Sequence, residues 1–291
     1  MIQLSYSAAG LLKQCKRRYY HKVHNTPYDA DAKVDTLAFQ FGHAFHRGCE
    51  ITKHFTEVYQ EMDLYQLAAH CCSEFFRESS SVEIESSVYA MLRSYRKLQE
   101  KTGLTCIACE YKIENEVCLG FIDAILADVS GRWYIVDLKT SGRVLPSLFP
   151  RLRRDIQLHL YSHFVPEICK AFGLNESDFG GVRYRVVQKP SIKKNAKETM
   201  DQYADRSNTT VWDYGFKPLA ENIEAIWSNH VELQREASAI AASRDKPPCN
   251  FSACLDYNSA CPFWSQCYSA TYSECTEDVT TSETATLISD L

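Results

Sequence analysis

The chain has 291 residues, of which 45% are hydrophobic and 24% are charged, and its formal net charge is −5. This size and composition predict a globular protein with one large domain, and the negative charge argues against a protein that coats nucleic acid. There is no run of 18 or more apolar residues, so no transmembrane helix is predicted. In the first 20 residues the charges follow the apolar part, which is the wrong order for a secretory signal. We therefore expect an intracellular, cytoplasmic protein.

The amino-terminal third of the chain has helical hydrophobic spacing. In its first segment Leu11, Leu12, Cys15 and Tyr19 recur on this period. Gly103 is a typical stop signal at the end of the last segment. Helices are predicted over 5–23, 37–59, 63–77 and 82–101.

The hydrophobic period changes after Gly103. Three segments rich in β-branched and aromatic residues are separated by the short links ENE and VSG. Links of this length require that neighbouring strands run antiparallel. Strands are predicted over 105–113, 117–128 and 132–140.

The rest of the chain mixes helical and strand-like segments. We predict a helix over 151–172, a strand over 180–189, a polar loop with a short helix over 192–215, and a long helix over 217–243. The acidic, Thr/Ser-rich tail over 276–291 is predicted to be disordered. This order predicts an α/β fold of the mixed (α+β) type, in which helices flank a small mixed sheet. A single domain over 1–275 is expected, with its core at about 37–190 and helical, cysteine-rich additions at both ends.

Three carboxylates lie on the three consecutive predicted strands. Glu110, Asp123 and Asp137 could converge, because neighbouring strands are about 4.8 Å apart. Asp123 lies in the apolar stretch GFIDAIL, where a carboxylate needs a partner or a metal ion. Lys139 is two residues after Asp137, so both side chains point to the same face of their strand. Each acid alone would be interpreted as a surface residue at a strand edge; the set of four indicates a site.

The second predicted helix offers further ligands. His43, His46 and Glu50 lie on one helical face. A histidine at such a position often packs in the core instead, and His46, one turn before Glu50, is the better ligand candidate. Imidazole together with carboxylates suits Mn²⁺, Mg²⁺ or Fe²⁺ better than a structural zinc site.

This set of residues indicates metal-dependent hydrolysis of a phosphodiester. A divalent cation held by Asp123, Asp137 and His46 can polarise the phosphate and lower the pKa of a bound water. Lys139 could orient and deprotonate that water, or stabilise the charge that develops in the reaction.

Four motifs in order resemble those of the PD-(D/E)XK nuclease superfamily, in its RecB-like branch. They are GHAFH (42–46), GFID (120–123), VDLKT (136–140) and QLHLY (157–161). The resemblance implies a restriction-endonuclease-like core and use of Mg²⁺ or Mn²⁺.

Position by position, the same resemblance implies roles for individual residues. His46, Asp123 and Asp137 correspond to the metal ligands and Lys139 to the catalytic lysine. Glu110 corresponds to a further acidic residue of the catalytic set. Gln157 and Tyr161, one turn apart, would face the DNA backbone or support the site, although an ordinary amphipathic helix would place them in the same way.

The chain has 13 cysteines, and three of them lie close together in SACLDYNSACPFWSQC (252–267). Cys254, Cys261 and Cys267, with the early Cys15, resemble the iron–sulfur staple of AddB-type nucleases and of the CRISPR adaptation exonucleases. The resemblance implies a [4Fe–4S] cluster joining the helix over 5–23 to the segment over 217–268. Structural zinc is the alternative, Cys249 is a substitute ligand, and reduced cysteines packed in a small subdomain are a third interpretation.

The favoured function is a metal-dependent DNA exonuclease for end processing, recombination or repair, in a bacterium or a phage-infected cell. DNA, as single strands or linear ends, is the expected partner. Basic clusters at 13–18, 151–154 (which includes Arg154) and 189–197 are candidates for phosphate contacts. Aromatic residues beside basic ones in RRYYHKVH (17–24) and VRYRVVQK (182–189) fit base stacking or core packing.

Two other functions are weighed against this one. A DNA-binding scaffold without catalysis is the alternative, although the intact set of acids and lysine argues against it. A phosphoesterase for small molecules is disfavoured by the basic clusters and by the absence of a G-x-x-x-x-G-K-[ST] loop.

Overall fold

A computed structural model describes residues 2–28, 37–56, 63–76, 81–254 and 261–268. These residues form two compact units, the first within 1–9 and 35–239 and the second within 10–34 and 240–291. The first unit contains the sheet, and the second contains the cysteine-rich segment. The single domain expected over 1–275 stays a prediction, and the tail over 276–291 lies outside the described residues.

Helices account for most of the regular structure outside the sheet. Those in the described residues are α1 (Tyr6–Gln14), α2 (Lys16–Val23), α3 (Leu37–Ile51), α4 (Leu64–Phe75), α5 (Val82–Thr102), α6 (Leu148–Leu152), α7 (Ile156–Ser162), α8 (Val165–Phe172), α9 (Met200–Ser207), α10 (Ala220–Ala242) and α11 (Trp264–Tyr268). No helix of the described residues is long and apolar enough to cross a membrane.

A mixed five-stranded sheet forms the centre of the first unit. Its strands are β1 (Thr105–Glu114), β2 (Leu119–Ala127), β3 (Trp133–Ser141), β4 (Phe179–Gln188) and β5 (Val211–Phe216). They are ordered β1-β2-β3-β4-β5, and only β3 and β4 are parallel. The parallel pair needs a crossover, which α6, α7 and α8 provide. The α/β fold predicted from the sequence, with a small mixed sheet flanked by helices, is confirmed.

Both faces of the sheet are covered, which gives the first unit two apolar cores. On one face, strand residues such as Val136 and Leu138 pack with residues of α3, α4, α5 and α9. On the other face, Ile122 and Ile135 pack with residues of α7 and α8. Along β3 and β4 the alternation of side chains divides the residues between the two cores.

The helix predicted over 37–59 ends early. Lys53, His54 and Phe55 all have positive φ, at 43°, 57° and 59°, a left-handed conformation that no right-handed helix accommodates. The helix therefore stops at Ile51, and residues 57–62 lie outside the described residues.

The helix predicted over 5–23 is two helices. Cys15 has extended backbone angles, with φ at −157° and ψ at 113°, and these angles separate α1 from α2. The local hydrophobic period does not reveal this break, because the period continues across it.

The helix predicted over 151–172 is three helices. Asp155 caps the start of α7 by accepting a hydrogen bond from the Gln157 amide. Pro166 lies in the first turn of α8, where its missing N–H costs nothing.

The loop predicted over 192–215 contains the short helix α9, and it also contains the strand β5. This strand was missed because VWDYGF is short and includes Asp213 and Gly215, which are rare in strands. Asp213 is accommodated because it forms ion pairs with two arginines of β4.

Candidate active site

The site lies where β2 and β3 separate. Their ladder ends at the pair Ala124–Val136, so Asp123 and Asp137 are the next residue of each strand. The backbone amide of Leu138 donates a hydrogen bond to Asp123 Oδ2 at 2.6 Å, across the gap. The end of the ladder thus leaves two carboxylates side by side on neighbouring strands.

Glu110 faces Asp123 from β1. The neighbouring residues pair regularly, Cys109 with Ala124 and Tyr111 with Ile122. Glu110 itself has φ at 48° and leaves the regular ladder. Ligand atoms of His46, Glu110 and Asp123 all lie within 4.8 Å of one another. His46 comes from α3, and its Nδ1 is 3.7 Å from Asp123 Oδ1. This trio could hold a metal ion.

Asp137 lies beside the trio and contacts the lysine of its own strand. Lys139 Nζ is 2.8 Å from Oδ2 and 3.1 Å from Oδ1 of Asp137, and only the Oδ1 contact has hydrogen-bond geometry. Among the described residues nothing donates a hydrogen bond to the buried Asp137 Oδ2. The Lys139 ammonium, 2.8 Å away, is nevertheless a positive partner for this oxygen, and a buried carboxylate needs such a charge beside it.

The helix α7 holds Lys139 from the other side. Gln157 Oε1 accepts a hydrogen bond from Lys139 Nζ at 2.9 Å, and Gln157 Nε2 donates to the Tyr161 hydroxyl at 3.3 Å. The Tyr161 ring packs closely on β2 at Gly120, since a Cβ atom added to Gly120 would be only 3.0 Å from that ring. Gln157 and Tyr161 thus lie against the site, whereas Arg154 is exposed just before α7.

Burial of several acids together dominates the electrostatics of the site. Burial raises the pKa of Asp137 to about 7 and of Asp123 to about 6. Burial, with the nearby Asp123 and Glu50, raises the pKa of Glu110 to about 7. Burial also lowers the pKa of His46 to about 4, so its imidazole is neutral and keeps a lone pair that can bind a metal ion.

Lys139 is protonated in these surroundings. Burial opposes its charge, but the carboxylates of Asp137 and Asp123 outweigh burial and raise its pKa. The site therefore combines one ammonium and one neutral imidazole with three carboxyl groups. A donor set of imidazole nitrogen and carboxylate oxygens fits a divalent cation such as Mn²⁺ or Mg²⁺.

Two other residues of the predicted helical face have structural contacts. His43 stacks on Phe75 with ring centroids 5.5 Å apart. Glu50 forms an ion pair with Arg47 at 2.8 Å. Neither belongs to the trio of ligands.

The stretch VRYRVVQK belongs to the core. Tyr184 and Arg185 are fully buried in β4, so core packing is the correct interpretation of this stretch and base stacking is wrong there. The sequence signal for this was Arg185, a charged residue within an apolar strand, because a charged residue is almost never fully buried without a partner such as Asp213.

The second unit brings five cysteines into one neighbourhood. The Asn250 amide, next to Cys249, donates a hydrogen bond to Cys15 Sγ at 3.3 Å, and the Cys261 amide donates to the Cys254 carbonyl at 2.8 Å. Burial, opposed by Arg17 and assisted by the nearby Cys249, Cys261 and Cys254, raises the pKa of Cys267 to about 11. The twelve described cysteines form no disulfide.

The raised acid pKa values predict how the stability of the metal-free protein depends on pH. The pKa of Asp137 rises from 3.8 to about 7 on folding. Between these pH values the native state binds more protons than the unfolded state, so the contribution of this carboxyl to stability decreases as the pH increases. The free energy of unfolding in EDTA should fall between pH 5 and pH 7.5. Asp137→Asn should reduce that fall by about 1 kcal/mol or more.

Urea denaturation of both proteins at the two pH values measures this difference. Mn²⁺ should stabilise the wild type more at pH 7.5 than at pH 5, since the ligands must be ionised. An equal fall in the wild type and in Asp137→Asn would contradict the prediction.

Comparisons with known proteins identify the family of this chain. No curated protein matches the sequence. The crystal structure of SSO0001 aligns over 77% of this chain and 92% of its own, with 13% identity and a TM-score of 0.29. A phage-related exonuclease from Haemophilus somnus 129PT aligns over 76% of this chain and 94% of its own, with 14% identity and a TM-score of 0.27. The sequence profile of the PD-(D/E)XK nucleases matches residues 3–268. This chain belongs to the PD-(D/E)XK nuclease superfamily.

Proposed function

We propose that this protein is a metal-dependent DNA exonuclease of the RecB-like and AddB-like branch, acting in end processing, recombination or repair. The observation that carries the proposal is the meeting of His46, Glu110 and Asp123 beside the Asp137–Lys139 pair. Superfamily membership supports hydrolysis of a phosphodiester. Residues His46, Glu110, Asp123 and Asp137 would hold Mg²⁺ or Mn²⁺.

The metal and Lys139 would have separate tasks. A bound divalent cation supplies Lewis acidity to the phosphate and to water. Lys139, protonated between Asp137 and Gln157, would donate to a phosphate oxygen and stabilise the charge that develops on it. A protonated lysine does not accept a proton, so of the two roles considered for Lys139, charge stabilisation is favoured.

An exposed aromatic side chain next to the site supports single-stranded DNA as substrate. Phe121 is 49% exposed and lies two residues before Asp123 on β2. Gly120 and Ile122 face α7 and its core, so Phe121 points to the opposite face, on which α3 carries His46. An aromatic ring at this place can stack an unpaired base.

We therefore expect Phe121→Ala to weaken the use of single-stranded DNA. Stacking on one aromatic side chain contributes about 1–3 kcal/mol per base, so KM for a short labelled single strand should rise by about tenfold. A duplex should be affected less, because its bases are paired. Val129→Ala, at a 98% exposed position between β2 and β3, is the matched control. An unchanged KM in Phe121→Ala would remove this support for a single-stranded substrate.

We also propose that the cysteines of the second unit bind a metal cofactor. Cys15, Cys254, Cys261 and Cys267 would hold a [4Fe–4S] cluster, or zinc as the alternative, and Cys249 is the further candidate ligand. The proposal is supported by their common neighbourhood and by the absence of disulfides among the described cysteines. Four thiolates suit either group.

The exonuclease is tested by comparing DNA with and without ends. The purified protein is incubated with Mn²⁺ and end-labelled linear DNA, single- or double-stranded, and with a covalently closed circle of the same sequence. Loss of the linear DNA while the circle survives is the expected result. Cleavage of the circle at the same rate would identify an endonuclease instead. If all substrates are bound and none is cleaved, the protein is a DNA-binding scaffold.

A further inference from the structure

Next to the candidate metal site is a strained turn. Lys53, His54 and Phe55 are three consecutive non-glycine residues with positive φ, a conformation that costs about 1–2 kcal/mol per residue. Such strain persists only where the surrounding structure enforces it. Here the turn directs the His54 side chain, which is 1% exposed, into the core between β2 and α5.

His54 joins the metal site to a buried tyrosine. One ring nitrogen, Nε2, is 3.2 Å from the backbone carbonyl of Asp123. The other, Nδ1, is 2.8 Å from the hydroxyl of Tyr95. Asp123 is the first residue beyond the β2–β3 ladder, so this hydrogen bond holds the backbone at a point where pairing with β3 has ended.

The direction of every proton in this chain of hydrogen bonds follows from chemistry. Arg185 Nη1 can only donate, and it is 2.9 Å from the Tyr95 hydroxyl. The Asp123 carbonyl can only accept, so the proton between it and the His54 ring lies on Nε2. In the neutral ring Nδ1 is then the acceptor, and the Tyr95 hydroxyl donates to it while accepting from Arg185.

The far end of the chain is anchored in the core. Arg185 is fully buried, and its Nε is 3.2 Å from Asp213 Oδ2. Its Nη1 also donates to Gln99 Oε1 at 2.5 Å. The guanidinium cannot turn away without breaking a buried ion pair, so the Tyr95 hydroxyl has one fixed donor.

We infer that Arg185, Tyr95 and His54 form a positioning relay, which holds the backbone of Asp123 so that its carboxylate meets His46 and Glu110. The inference rests on the proposed metal site and extends it to three residues outside the set of candidate ligands. Loss of such supporting partners typically weakens metal binding by 10- to 100-fold.

The test measures Mn²⁺ binding by calorimetry without DNA, beside the thermal unfolding of the metal-free protein. Tyr95→Phe removes one oxygen, and His54→Leu removes both hydrogen bonds of the ring. His54→Gln retains an N–H that can reach the Asp123 carbonyl. Tyr203→Phe is the matched control, because Tyr203 is also fully buried but its hydroxyl donates to Ile192.

We expect Tyr95→Phe and His54→Leu to raise the dissociation constant for Mn²⁺ by about tenfold or more. Tyr203→Phe should leave it within about twofold, and His54→Gln should lie nearer the wild type than His54→Leu. If His54→Leu does not fold, Tyr95→Phe alone decides. Wild-type affinity in Tyr95→Phe would overturn the relay while the metal site stands. A wild-type protein that binds no Mn²⁺ would overturn the proposed metal site and the relay with it.

Discussion

Lys139→Met is expected to slow DNA hydrolysis by about 10²- to 10³-fold, the usual effect of removing one donor that stabilises transition-state charge. The methionine keeps most of the side-chain volume but has no ammonium to place between Asp137 and Gln157. Single-turnover cleavage of a labelled oligonucleotide in saturating Mn²⁺ measures the effect. Affinity for DNA should change little, because the lysine acts on charge that develops during the reaction.

Lys112→Met is the control for this variant. Lys112 is an exposed lysine of β1 that forms an ion pair with Glu114, and a surface pair of this kind contributes little. Its cleavage rate should stay within about twofold of the wild type. A Lys139→Met protein that cleaves as fast as Lys112→Met would remove Lys139 from the reaction.

Removal of the cysteine-bound metal is the second change with a large expected effect. Cys254→Ser or Cys261→Ser should lose the bound metal and unfold the second unit, since the binding free energy of a structural metal is also folding free energy, about 10 kcal/mol or more for zinc peptides. Iron and zinc are counted by elemental analysis after anaerobic purification, and unfolding is followed by circular dichroism. Four irons per chain would identify the cluster, and one zinc would identify the alternative.

Cys169→Ser is the control for the cysteine variants. Cys169 is a buried cysteine of α8 in the first unit, so its replacement should retain the full metal content. If the wild type contains neither iron nor zinc, the cysteines are packed thiols and the cofactor proposal is wrong.

Much of the sheet could be predicted because short links and side-chain alternation are local properties. The strands predicted over 105–113, 117–128 and 132–140 agree with β1, β2 and β3 to within a few residues. From those strands alone, Glu110 and Asp123 were expected to meet, and their ligand atoms do lie together. The catalytic roles assigned to them stay predictions.

What the sequence did not reveal depends on contacts between distant segments. His54 falls in a stretch with helical spacing, and its left-handed turn is explained only by partners on β2 and α5. Arg185 and Asp213 are 28 residues apart, and the presence of each charged residue in its strand is explained only by the ion pair that it forms with the other. His54, Arg185 and Asp213 could therefore not be assigned to the site from the sequence, although its acids could.

The most direct test of the central claim is the metal dependence of hydrolysis at the trio of His46, Glu110 and Asp123. Labelled linear DNA is incubated with the wild type and with Asp123→Asn, each in Mn²⁺ and in EDTA. Our account predicts cleavage only by the wild type and only with Mn²⁺, because Asp123 has a ligand atom within 4.8 Å of those of His46 and Glu110. Equal cleavage in EDTA, or by Asp123→Asn in Mn²⁺, would contradict it.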